Sequence, residues 1–291
     1  MTPERRASTP DPRWTDRVLG EAEVREAALA CAHLLRCSLE ELGLRGSELS
    51  GTTFEECSAV GSRFDHATAD GVTVTRGSWT GTRWEGADLC DARFDAADLT
   101  NAVFDKALLT GATFTGSRLS GASLRETRGM GFTLSGGTAF AVDLTGAGLS
   151  GNAFSGARLT DAVLRGTDLR GATFDGCDLL GAEIEGADLV GADLRAAGLP
   201  EDLPLTALGG AVLTPGQLSR LAAAQWGIVV ADVCPPRRRA VGRAGGLSRD
   251  RASAPRPLGG GRRGRGGRPP GQTRSPPGPG AATPPDCRRA P

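Results

Sequence analysis

The chain has 291 residues, of which 39% are apolar and only 4% aromatic, with 43 glycines and no tyrosine. So little aromatic bulk excludes a conventional mixed core and points first to a repeat architecture. The formal net charge of zero hides two halves: residues 234–291 hold 14 Arg and 2 Asp, whereas residues 1–233 hold 32 acidic and 20 basic side chains, an excess of 12 negative charges. No run approaches the ~18 apolar residues of a membrane span, and the first twenty residues lack an apolar h-region. The expected location is therefore cytoplasmic.

In chain order, residues 1–33 read as a polar arm followed by a capping helix. The segment from Gly20 to Leu35 is amphipathic and acidic at its start, as expected of a helix laid over the first coil of a solenoid. From Leu34 to Leu199 every fifth residue is large and apolar at 30 of 34 positions. The residue two places earlier is usually small, as at Ala87, Ala92, Ala97 and Ala102. A period of five fits neither the helix nor the strand, so it marks a solenoid. Phe54, Phe94, Phe114, Phe154 and Phe174 recur at multiples of twenty, which predicts a coil of four units. At a strand spacing of ~4.8 Å the 34 units make a rod of ~40 Å. Near Gly129 and Ala139 the pattern breaks, and Phe132 stands where a small residue belongs. Leu124 and Leu144 stay in phase, so a locally repacked coil is expected there; the functional alternative is a hinge or docking dent.

Ala87-Asp88-Leu89, Ala97-Asp98-Leu99, Ala187-Asp188-Leu189 and Ala192-Asp193-Leu194 match the consensus A-(D/N)-L-x-x of the pentapeptide-repeat family, which the chain resembles over residues 34–199. The resemblance implies an all-β fold, a right-handed quadrilateral β-helix with short helical caps. Residues 200–232 read as a connector, a helix and a strand. Thr214 is placed to cap the helix and Pro215 to open it, Leu218, Leu221 and Ala222 give an apolar face, and Gly227 precedes a strand at Ile228–Val230. That order resembles the C-terminal end of the mycobacterial fluoroquinolone-resistance protein. The resemblance implies a homodimer whose contacts are Leu218, Leu221, Ala222, Trp226 and Ile228; the alternative is a cap for a single rod. Residues 233–291, rich in Arg, Gly and Pro, are expected to be a disordered tail, and direct nucleic-acid binding is expected only through it.

Chemistry is not expected. Cys37, Cys57 and Cys177 share the small inward column, no C-x-x-C occurs, and phosphate-binding and nucleophile motifs are missing. No catalytic residue, cofactor or metal is expected. The surface carries the functional expectation instead. Asp65, Glu85 and Asp105 fall in one outward column, with Glu55 and Asp95 on a neighbouring face, and stacked like charges favour a cationic partner. In the family, the quinolone-resistance proteins are acidic rods that mimic duplex DNA and bind DNA gyrase and topoisomerase IV. The resemblance thus implies a DNA mimic that binds a type II topoisomerase through these carboxylates and modulates it or confers quinolone resistance. The alternative is an interaction scaffold with an unrelated protein partner, marked by an apolar patch such as Val103, Leu108, Leu109, Met130 or Phe140.

Overall fold

A unit of five residues with two inward side chains obliges the chain to turn a corner at each unit, and four corners bring it back over itself. The computed structural model describes residues 14–26, 29–203 and 205–229 and forms such a coil. Nine strands make one parallel sheet in chain order: β1 (Trp14–Thr15), β2 (His33–Leu35), β3 (Thr53–Glu55), β4 (Thr73–Thr75), β5 (Arg93–Asp95), β6 (Thr113–Thr115), β7 (Thr133–Ser135), β8 (Ala153–Ser155) and β9 (Thr173–Asp175). Each pairs with the next at a register of twenty, Leu34 on Phe54 and Phe94 on Phe114. Single parallel bridges in the same register, such as Ser38 with Ser58, Gly43 with Arg63 and Glu48 with Thr68, mark the second, third and fourth sides. The fold is a right-handed four-sided β-helix of about eight turns. Nine strands at ~4.8 Å span about 38 Å.

The inward columns fill the interior. Phe94 stacks on Phe114 and Phe154 on Phe174, each with ring centroids 4.8 Å apart and planes within 9° and 4° of parallel. A second aromatic column on the third side runs Phe64, Trp84, Phe104, the first two 4.2 Å apart. Volume is balanced between coils. The indole of Trp79 leans back to 5.0 Å from Phe54 and 5.9 Å from Phe64, into the coil where Ala59 and Ala69 take inward places otherwise held by larger residues. Burying each such ring contributes roughly 2–3 kcal/mol. Hydroxyls at the small inward position are satisfied internally: Thr52 donates to the Leu29 carbonyl at 2.6 Å, Ser117 to Phe94 at 3.0 Å and Thr167 to Leu144 at 2.9 Å.

The irregular coil is a repacking with the register intact, since bridges run Leu108 to Arg128 to Gly148 through it. At Gly129 the backbone lies against the preceding coil, where a Cβ would come within 2.5 Å of the Thr110 nitrogen. The side-chain volume missing at Gly129 is supplied by Phe132, which is buried between Phe114 and Phe154 at 5.5 and 5.9 Å.

Both ends differ from expectation. The helix expected over residues 20–35 is confined to α1 (Glu21–Glu26), and His33–Leu35 is strand β2. The solenoid also starts one coil earlier than Leu34: Trp14 pairs with Leu34, and Trp14, Leu19, Val24 and Leu29 are all buried in phase with the later columns. Continuing the core ladder outweighs the helix propensity of an Ala- and Glu-rich stretch. At the other end the first side continues to a bridge between Asp193 and Val212. A short 3₁₀ turn (Leu205–Leu208) leads into α2 (Pro215–Trp226). Its capping box is formed by Thr214 and Gln217, and Gly227 closes it with φ of 64°. Ile228 and Val229 follow as irregular chain, not strand. Val230 and the expected disordered tail lie outside the described residues.

Candidate partner-binding surface

The five expected carboxylates do not form a bare acidic strip. Asp65 is 4% exposed; it accepts from Arg45 Nε at 3.0 Å, and Arg83 Nε is 3.5 Å away. Arg83 also reaches Glu85 at 2.9 Å. Arg125 holds Asp105 at 3.1 Å, with the Ser123 hydroxyl donating to the same carboxylate. Glu55 lies 3.3 Å from Arg76, which also holds Glu56 at 2.8 Å. Asp95 alone of the five is exposed and without an ion pair among the described residues. The correction has a geometric cause. Residues 18 to 21 apart are neighbours on adjacent coils, so an Arg one coil away supplies Asp65, Asp105 and Glu55 with the cation that a partner was expected to bring, and Glu85 takes it from Arg83 two residues before it. Exposed pairs of this kind stabilise by only ~0–1 kcal/mol.

The consensus aspartates have work inside the coil. Asp88, Asp98, Asp143, Asp168, Asp178, Asp188 and Asp193 each accept the backbone N–H two residues ahead, at 2.9–3.2 Å. This is the local aspartate turn that ties a side chain to its own backbone. Several are also paired with Arg, Asp168 with Arg170 at 2.7 Å and Asp193 with Arg195 at 2.6 Å. Those guanidinium hydrogen bonds hold the Asp168 carboxyl below the ordinary carboxylate value and bring Asp193 to about 2.

Uncompensated acid lies instead on the fourth side and its corner. Glu48, Asp70, Asp88 and Asp91 have no ion pair among the described residues. Burial, then the charges of Asp88 and Asp91, raise the Asp70 carboxyl above its ordinary value. These residues were not singled out from the sequence. The same twenty-residue arithmetic, applied to all four sides and to Arg as well as acid, would have found them. Over residues 14–229 there are 29 acidic and 17 basic side chains.

At the C-terminal end the helix presents two faces. Gln217 donates through Nε2 to the Leu194 and Ala197 carbonyls at 2.8 and 3.0 Å, and Leu221 and Ala222 are buried beside it. Leu221 and Ala222, expected as dimer contacts, therefore cap their own rod. Leu218, Trp226 and Ile228 face outward at 49, 62 and 47% exposure. Of the expected apolar patch, Leu109 is a core residue, whereas Met130 and Phe140 are exposed.

Cys37 and Cys57 are free thiols one coil apart, and the Cys37 N–H donates to Cys57 Sγ at 3.4 Å. Burial pushes the Cys57 thiol up to about 11, which makes it a poor nucleophile at neutral pH. Among the described residues no group of three His, Cys, Asp or Glu is arranged to hold a metal, and no helix is long and apolar enough to cross a membrane.

The family model for pentapeptide repeats matches eight copies, over residues 70–105, 92–128 and 157–195. No curated protein sequence matches the chain. Among solved structures, HetL, a pentapeptide repeat protein involved in heterocyst differentiation regulation in the cyanobacterium Nostoc sp. strain PCC 7120, is 24% identical with a TM-score of 0.37. The match covers 61% of this chain and 85% of that one. A trypsin-treated form of QnrB1, a plasmid-mediated fluoroquinolone resistance protein, is 21% identical with a TM-score of 0.46, over 75% and 97% of the two chains. A pentapeptide repeat protein of the Arabidopsis thaliana thylakoid lumen is 23% identical with a TM-score of 0.27, over 47% and 77%. With eight repeat copies over residues 70–128 and 157–195 and a twenty-residue square coil running through them, these segments carry the repeats of the pentapeptide-repeat family.

Proposed function

We propose that this protein acts by binding rather than catalysis, as a rigid acidic rod that mimics DNA towards a type II topoisomerase such as DNA gyrase and pairs with a second copy through its C-terminal end. The observation that carries the reading is the unpaired carboxylate group Glu48, Asp70, Asp88 and Asp91 on one side, with Asp95 on the next. Burial first, and then repulsion from Asp88 and Asp91, raise the Asp70 carboxyl; a cationic surface would relieve the second of these. The mimicry is partial. Twelve net charges over about 38 Å amount to one per ~3 Å, about half the density of duplex DNA at one per ~1.7 Å. The exposed Leu218, Trp226 and Ile228 support a second copy at the end of the rod.

A second reading, a scaffold rod with an unrelated partner, is favoured by the Arg–carboxylate pairing on the third side, which leaves that side nearly neutral. DNA gyrase supercoiling, with and without a fluoroquinolone, separates the two. Inhibition or protection from drug-induced cleavage by the full chain, lost when Asp70, Asp91 and Asp95 are changed to Lys, supports the mimic. No effect at micromolar protein of verified fold sinks it for that gyrase and leaves the scaffold.

A further inference from the structure

We propose that the C-terminal end of the solenoid carries a slot that takes an extended basic peptide segment of a partner protein as an added strand. It lies on the last coil, away from Glu48, Asp70, Asp88 and Asp91 and from the exposed face of α2, so the two readings fail independently.

The four sides do not end together. The first continues to Val212, and Gly191 N–H donates to the Gly210 carbonyl at 2.9 Å. On the third and fourth sides the last bridges are Val163 with Glu183 and Asp168 with Asp188. One coil earlier the N–H groups of Leu164, Gly166 and Leu169 donate forward to Glu183, Glu185 and Asp188 at 2.7, 3.0 and 2.9 Å. The carbonyls of Ala162 and Thr167 accept from Glu183 and Asp188, both at 2.9 Å. The equivalent groups of the last coil are the N–H of Ile184, Gly186 and Leu189 and the carbonyls of Ala182 and Ala187. None has a hydrogen-bond partner among the described residues. Unmade backbone bonds at a sheet edge are what strand addition exploits.

These five residues line a groove of ≈ 730 Å³ between the last coil and the connector. Leu203 and Ala207 stand across it, and its walls hold four carboxylates (Glu183, Glu185, Asp188, Asp202) against one guanidinium, Arg165. A strand laid ~4.8 Å from the edge would turn alternate side chains inward and outward. Inward residues would meet Leu203 and Ala207. Outward ones would stand over Glu185 and over Glu183, which pairs with Arg165 at 2.9 Å; opposite charge is favoured at Glu185, unpaired among the described residues. The occupant defined by this chemistry alternates basic and apolar residues.

The test uses the full chain and a fluorescein-labelled Arg-Val-Arg-Val-Arg peptide, read by fluorescence anisotropy and amide hydrogen exchange. Saturable binding is expected, with new protection at Ile184, Gly186 and Leu189. The combined Glu185→Lys and Asp202→Lys variant, its fold checked by circular dichroism, should bind at least about tenfold more weakly. A peptide of the same charge with N-methylated amides should not bind. Equal binding of the N-methylated peptide would reduce the effect to bulk charge and overturn the proposal. So would the absence of binding, or protection already complete before peptide is added, since the slot would then have an occupant of its own.

Discussion

Replacing Gly77 by Ala tests the closeness of the coils most directly. Gly77 takes the small inward position above Cys57 with φ of 93°. A Cβ there would stand 2.0 Å from the Cys57 carbonyl oxygen and 2.9 Å from its nitrogen, both backbone atoms. That carbonyl accepts from Ser78 N–H at 3.1 Å, so moving it aside also breaks a ladder bond. Left-handed strain of ~1–2 kcal/mol, a lost net hydrogen bond of ~1 kcal/mol and overpacking of ~1–3 kcal/mol make a total near 4 kcal/mol. Gly116 is the control: its φ is 59°, nothing lies within 4 Å of its Cβ position, and Ala96 already holds the same corner one coil earlier at φ of 51°. Gly116→Ala should cost about 1 kcal/mol or less, because reduced unfolded-state freedom offsets the strain. Urea unfolding of the full chain, followed by far-ultraviolet circular dichroism, measures both. If the two variants fall within ~1 kcal/mol of each other, the coils are not held at this spacing and the reasoning fails.

Three other outcomes follow from particular side chains. Asp70→Asn should raise the thermal midpoint at neutral pH. Its folded carboxyl titrates above the ordinary value, so its charge opposes folding above that value, and the gain should vanish once acid protonates it in both states. Asp193 has the opposite sign: its folded value is about 2 against an ordinary 3.8, so the stability it contributes is complete above the ordinary value and is lost as pH falls towards 2. Asp193→Asn should therefore flatten the acid limb of a pH titration of folding, and an unchanged limb would remove Arg195 from the account. Trp226→Ala should shift a dimer to monomer in analytical ultracentrifugation with little loss of stability, whereas Leu221→Ala, at 3% exposure, should cost ~2–5 kcal/mol. A monomeric parent would refute the paired-rod reading and leave the Leu221 prediction untouched.

The repeat was legible because every unit uses the same two inward positions, so thirty-four weak signals add in one phase. The Phe54 to Phe174 column needed only arithmetic, and the rings stack as that arithmetic requires. The first coil was harder to read. Trp14, Leu19, Val24 and Leu29 keep the phase, but Arg17 stands where a small residue belongs, and the stretch from Glu21 to Ala30 is also good helix sequence. Local propensity holds α1 for six residues; from His33 onward the ladder to Thr53 prevails. Register misled the surface reading in a different way. Counting acids down a column found Asp65, Glu85 and Asp105 but not the arginines that neutralise them, 18 or 20 residues from Asp65 and Asp105 and two residues before Glu85.

The acidity of the rod therefore has two origins, and only one is free of the coil's own needs. Aspartate before the inward leucine, as at Asp88, Asp98, Asp178 and Asp188, is required by the backbone N–H it accepts, whatever the protein binds. Replacing such a residue changes the coil as well as its charge, so a loss of binding there is ambiguous. Asp70, Asp95 and Asp175 follow the inward residue, where the repeat does not use the carboxylate, and Asp91 occupies a corner. Their negative charge is not explained by folding; in Asp70 it is opposed by burial and by its neighbours. Charge kept at a cost to stability and unneeded by the coil is where selection for a partner would leave its trace. Substitutions at these positions separate function from fold most cleanly.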